Sequence, residues 1–83
     1  MEQIGRTASQ LGAIVRRLRR QQRLSQGQLG SKVQLRQATI SKLEAGEPAT
    51  RIRTLLDVLA ALDLEIVVRR RTKASTADIE DLF

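Results

Sequence analysis

Residues 24–46, LSQGQLGSKVQLRQATISKLEAG, decide how this chain is read. Ser25 stands just before a helical pattern, and Gln28 three residues on completes an S-x-x-Q capping box. Leu29 and Val33 are four apart and share one side of this first helix, while Gln26, Ser31 and Lys32 take the others. A second helix is predicted from about Arg36 to Glu44, with Ile40 and Leu43 turned inward. Gln37, Ala38, Ser41 and Lys42 then form its outer face. Small polar and basic side chains on such a face suit the base edges of a DNA major groove, which admits a helix. Two short helices joined by a tight turn, the second presented for contact, make a helix-turn-helix.

Gln26, Leu29, Ile40, Ser41, Glu44 and Gly46 stand at the spacing of the Cro/repressor (Xre-type) helix-turn-helix family, which the chain resembles. Within that family the run Arg36-Gln37-Ala38-Thr39-Ile40-Ser41 is most similar to HipB antitoxins, which also carry a basic residue before Q-A-T-I-S. The resemblance covers roughly residues 7–71. It implies an all-α, lambda-repressor-like domain of four helices with one C-terminal strand pairing across a homodimer. It further implies an antitoxin that represses its own operon and binds a HipA-type serine/threonine kinase toxin. It places Arg19 opposite Glu44, where the family uses a charge pair to tie the first helix to the recognition helix. Two positions depart from the family pattern. Gln34 stands where a glycine usually makes the left-handed turn, at a cost of about 1 kcal/mol. Gly30 stands where alanine usually lets the helices cross closely, and weakens its helix by about as much.

Working outward, composition narrows the function. The 83 residues contain no cysteine, no histidine and a single aromatic, Phe83. Without His or Cys, most nucleophilic, general-base and zinc chemistries lose their usual agents. Glu44, Glu47, Asp57 and Asp63 are scattered along the chain and form no metal constellation. The expectation is a binding protein rather than an enzyme, with no cofactor. No apolar run approaches the roughly 20 residues that span a bilayer, and MEQIGRTASQ lacks a hydrophobic signal core, so a cytoplasmic protein is expected.

The net charge of +6 is unevenly spread: +5 over residues 1–24, +2 over 25–46, −1 over 47–63, +3 over 64–73 and −3 over 74–83. A basic domain followed by an acidic tail points to nucleic acid for the first and a different partner for the second. Residues 1–6 read as a loose arm whose Arg6 either reaches a phosphate or minor groove or idles in solvent. Thr7 with Gln10 makes a second capping box, opening a helix from about Ala8 to Gln22. Leu11, Val15 and Leu18 form its apolar face, with Ile14 at the edge. Arg16, Arg17, Arg20 and Arg23 crowd its other faces, as a solvated stripe or as a grip on the phosphate backbone.

Arg36 sits at an N-cap or first-turn position, where Ser, Thr or Asp would satisfy free amides and where the helix dipole disfavours a cation. A locally unfavourable residue hints at function. Its guanidinium can hold guanine O6 and N7 or a phosphate, Gln37 can pair with adenine, and Ala38 can touch a thymine methyl. Candidate base readers are therefore Arg36, Gln37, Ala38 and Ser41, with Thr39 in the same contact set. Ser25 and Gln26, at a helix N-terminus, are candidate phosphate anchors, and Lys42 and Arg17 candidate sources of sequence-independent attraction.

Gly46, Pro48 and Ala49 form a loop, and Thr50 is predicted to cap a fourth helix over residues 51–62. Ile52, Leu55, Leu56, Leu59 and Leu62 make its dense stripe, part core and part surplus that can face another subunit. The helix-turn-helix domain is thus assigned to residues 7–63. Residues 64–71, LEIVVRRR, are rich in β-branched side chains and read as a strand, with a fifth helix as the rival. Nothing else in the chain reads as a strand, so Leu64, Ile66, Val67 and Val68 are expected to pair with their copies across a twofold axis.

Residues 72–83 divide into a small polar linker and an acidic end in which Ile79 meets Leu82 and Phe83 at helical spacing. Those three are candidate anchors for a partner. The function expected is twofold-symmetric repression on a palindromic operator in double-stranded DNA. A free-standing repressor without a toxin, and a protein-interaction module that does not read DNA, are the alternatives.

Overall fold

The computed structural model describes residues 2–71. Four helices follow in order: α1 (Ala8–Gln21), α2 (Gln26–Val33), α3 (Gln37–Glu44) and α4 (Ile52–Ala61). Val15 of α1, Leu29 of α2, Ile40 and Leu43 of α3, and Val58 and Leu59 of α4 meet in one core that Leu62 closes. The four helices are those expected, but the strand expected over residues 64–71 does not form within the described chain, where these residues have no partner to pair with.

The helix starts follow local chemistry with two corrections. At α2 the box is complete: Gln28 N–H donates to Ser25 Oγ at 3.0 Å and Ser25 N–H to Gln28 Oε1 at 2.8 Å. At α1 it is displaced. Thr7 Oγ1 accepts from Gln10 N–H at 3.0 Å, but Gln10 Oε1 takes the N–H of Arg6, one residue before the cap. At α4 the expected cap fails. Thr50 donates its hydroxyl to the Glu47 carbonyl at 2.8 Å, closing the preceding turn, and Arg51 becomes the N-cap with no side-chain bond.

All four helices end alike. Arg23, Gln34, Gly46 and Asp63 adopt left-handed backbone, with φ of 59°, 59°, 88° and 62°. The residue after each returns its N–H to a carbonyl five back, as in Leu24 to Arg19 at 3.1 Å and Leu35 to Gly30 at 2.8 Å. Leu24, Leu35 and Leu64, which follow the three non-glycine turns, pack against the core. That burial offsets the strain of a left-handed residue with a side chain.

Two glycines are set by close approach. A Cβ on Gly12 would collide with the carbonyls of Leu43 and Glu44, so α1 lies directly on the end of α3. A Cβ on Gly30 would stand 2.5 Å from the Leu35 carbonyl oxygen. This corrects the reading of Gly30 as a simple weakness: the chain doubles back over it, and here alanine does not fit.

The α4 stripe is split. Leu59 and Leu62 are buried and Leu55 half-buried, while Ile52 is 72% and Leu56 46% exposed. Val58, absent from the expected stripe, is fully buried. Residues 64–71 contain no helix, which excludes the fifth-helix rival over this stretch, and no ladder partner lies within the described residues. Leu64 packs on the core, whereas Ile66, Val67 and Val68 are exposed. Among the described residues no helix is long and apolar enough to cross a membrane. The anchor residues Ile79, Leu82 and Phe83 lie outside the described residues.

Candidate nucleic-acid interface

The site is organised by the way α3 is held. Ile40 and Leu43 are buried, which fixes the rotation of the helix and turns Gln37, Ala38, Ser41 and Lys42 to solvent. Thr39 lies half-buried at the margin. Arg36 is the N-cap, in extended backbone at φ −72° and ψ 150°, exposed and without a side-chain cap bond. Arg36 thus sits beside amides that a Ser or Asp would have satisfied, and its guanidinium is open to an acceptor from outside.

The N-terminus of α2 lies beside this face. A methyl group on Gly27 would come 3.8 Å from Ser25 Oγ and 3.9 Å from Gln37 Oε1. The Ser25 hydroxyl, the first turn of α2 and the leading side chain of α3 therefore share one neighbourhood. A phosphate on the free amides of α2 and a base edge at Gln37 can be engaged by a single duplex. Gly27, not singled out from the sequence, marks where the two helices meet, at a separation that leaves room for a methyl group.

Beneath the interface lies the pair that orients it. Arg19 Nε donates to Glu44 Oε2 at 2.6 Å and its Nη2 to Glu44 Oε1 at 3.0 Å, with both side chains almost wholly buried. Arg19 Nη1 donates to the Leu24 carbonyl at 2.6 Å, and Gln26 Nε2 to Glu44 Oε1 at 3.2 Å. The buried pair thus gathers α1, the turn after it, the start of α2 and the end of α3. Burial opposes ionisation of Glu44, but the hydrogen bonds from Arg19 and Gln26 and the charges of Arg19 and Arg16 outweigh it and hold the carboxyl below the usual carboxylate range. The hydrogen bonds that Arg19 donates to Glu44 raise it above its ordinary value against the opposing effect of burial. Gln26, expected as a phosphate anchor, gives one N–H to this network and keeps its other N–H and its carbonyl oxygen.

Arg17 is exposed on α1. Its Nη1 donates to Gln3 Oε1 of the N-terminal arm at 2.6 Å. Together with Arg16 and Arg20 it lines a shallow groove along α1 whose floor reaches Glu44. The fold therefore brings Ser25, Gln26, Arg36, Gln37, Ala38, Ser41 and Lys42 to one region and sets Arg17 on a neighbouring basic surface.

The chain matches the family described as Helix-turn-helix over residues 15–68. No curated protein matches it. Among solved structures it is similar to the "HipB-O4 20mer complex", with 27% identity over 86% of this chain and 100% of the other, at a TM-score of 0.79. It is equally similar to a chain of the "Structure of HipA-HipB-O2-O3 complex", again with 27% identity, 86% and 100% coverage and a TM-score of 0.79. The likeness spans the whole of those chains, so it takes in residues on both sides of the helix-turn-helix.

Proposed function

The chain belongs to the Helix-turn-helix family, and from that membership we propose that it is a DNA-binding antitoxin that represses its own operon and restrains a HipA-type serine/threonine kinase. The observation that carries the DNA-binding part is the outer face of α3. Gln37, Ala38, Ser41 and Lys42 are exposed on it, on a helix tied at its far end by the buried Arg19–Glu44 pair and with Gln37 beside the start of α2. The HipB complexes named above, one with a 20mer and one with HipA, support the antitoxin part.

In this reading Arg36, Gln37, Ala38 and Ser41 contact base edges, with Thr39 at their margin. Ser25 and the first amides of α2 hold a phosphate, and Lys42 and Arg17 add attraction that ignores sequence. A second copy pairs through residues 64–71, burying Ile66, Val67 and Val68, and sets two recognition helices about 34 Å apart on a palindrome. Repression is steric: the dimer occupies an operator in the cytoplasm and excludes polymerase. Ile79, Leu82 and Phe83 then serve as anchors on the kinase.

The test is a salt titration of binding to native promoter DNA and to random DNA. Gln37→Ala should lose about 1–3 kcal/mol on the promoter and almost nothing on random DNA. Equal losses on both would remove Gln37 from base reading. Co-purification of the chain with a HipA-type kinase, reduced by Phe83→Ala, tests the antitoxin role.

A further inference from the structure

The groove along α1 is a cationic surface with little to neutralise it. Arg16 and Arg20 form no hydrogen bond or ion pair among the described residues, and Arg17 has only the neutral Gln3. The one carboxylate on its floor, Glu44, is already matched by Arg19. Three guanidinium groups within two turns of one helix repel each other and attract an anionic strip.

The structure also shows where the C-terminal segment leaves the domain. Arg69 Nη1 lies 3.4 Å from Glu2 Oε1, and the next residue of the arm, Gln3, bonds Arg17 at 2.6 Å. Arg69 is therefore tethered next to the arm that lies on α1. From Arg69 to Asp78 is a span of nine residues, up to about 30 Å when extended. The 14 residues of α1 measure only about 21 Å. Asp78, Glu80 and Asp81 can thus reach any point of the groove.

We propose that the acidic segment Asp78–Asp81 docks in the α1 groove on Arg16, Arg17 and Arg20, where it competes with the phosphate backbone for the same cations. Attachment to the domain gives the segment an effective concentration in the millimolar range, which populates a contact too weak to form between separate molecules. The chain then carries its own electrostatic brake. It weakens sequence-independent attraction while leaving the outer face of α3 uncovered, and so raises discrimination between operator and random DNA. The competition rests on the DNA-binding reading; the docking itself does not.

The experiment compares the full chain with a variant of unchanged length, Asp78→Asn with Glu80→Gln and Asp81→Asn. Backbone amide spectra without DNA should differ at Arg16, Arg17, Arg20 and their neighbours on α1, and the differences should vanish at about 0.5 M salt, where the screening length falls to a few ångströms. Affinity for random DNA at roughly 50 mM salt should rise about threefold or more in the variant. Removing three negative charges raises that affinity somewhat without any docking. The rise must therefore shrink when the same comparison is made in an Arg16→Gln, Arg20→Gln background. Spectra that superimpose along α1 overturn the docking whatever the DNA result. Shifted spectra with a rise that survives in the Gln background overturn the competition. A chain that binds neither DNA but shows the α1 shifts would overturn the DNA-binding reading and leave the docking standing.

Discussion

Helices α2 and α3 have eight residues each, yet they begin in opposite ways. The first turn of α2 is closed by reciprocal bonds between Ser25 and Gln28. The first turn of α3 is led by Arg36, whose side chain caps nothing. The difference teaches where the fold is secured and where it is left open. Local stability is concentrated at the start of α2 and forgone at α3; α4 starts as openly on Arg51, so α3 is set apart by the exposed polar face that follows its open cap.

What keeps the open helix in place is Glu44 at its far end, and the largest expected effect comes from breaking that tie. Glu44→Ala strands a buried guanidinium and releases Gln26, so it should cost about 3–5 kcal/mol, read as a shift of the urea midpoint. The same tie predicts a pH dependence. Glu44 is held below its ordinary value of 4.5, so its contribution is fully present above 4.5 and is lost as pH falls through the folded value. Thermal melts should show that acid loss in the native chain and a weaker loss in Glu44→Gln. An identical acid profile in both would place the sensitivity elsewhere.

Exchanging the caps sharpens the comparison at smaller magnitude. Ser25→Ala should destabilise by about 1 kcal/mol, whereas Arg36→Ser should stabilise by about 0.5–1 kcal/mol while weakening DNA binding. If Arg36→Ser left DNA affinity unchanged, the open cap would have no functional counterpart. The smallest effect belongs to the turn between the helices. Gln34→Gly relieves a left-handed residue and should stabilise by up to about 1 kcal/mol. Gly30→Ala, which a helix-propensity scale favours, should destabilise, because its Cβ meets the Leu35 carbonyl.

The inward and outward faces of α2 and α3 were legible because periodicity and caps involve residues three or four apart. The Arg19–Glu44 pair was available only through the family resemblance, since 25 residues separate its members. Thr50 shows the limit of cap reading. Its residue type suits a cap, but the competing acceptor at Glu47 is supplied by the shape of the loop. Likewise the apolar pattern of α4 could not say that Ile52 and Leu56 would face solvent while Val58 went inside. A helix with apolar residues over more than one face leaves that choice to its neighbours.

By itself, then, the sequence determined four amphipathic helices, the helix-turn-helix at their centre and the side chains α3 shows to solvent, all products of short-range spacing. Only the tertiary structure decided how closely the backbones meet. Gly12 seats α1 on the carbonyls of Leu43 and Glu44, the start of α2 comes beside Gln37, and Gln26 turns part of its amide inward to Glu44. Those arrangements depend on distances between segments remote in sequence, and packing sets such distances only when all the helices are present together.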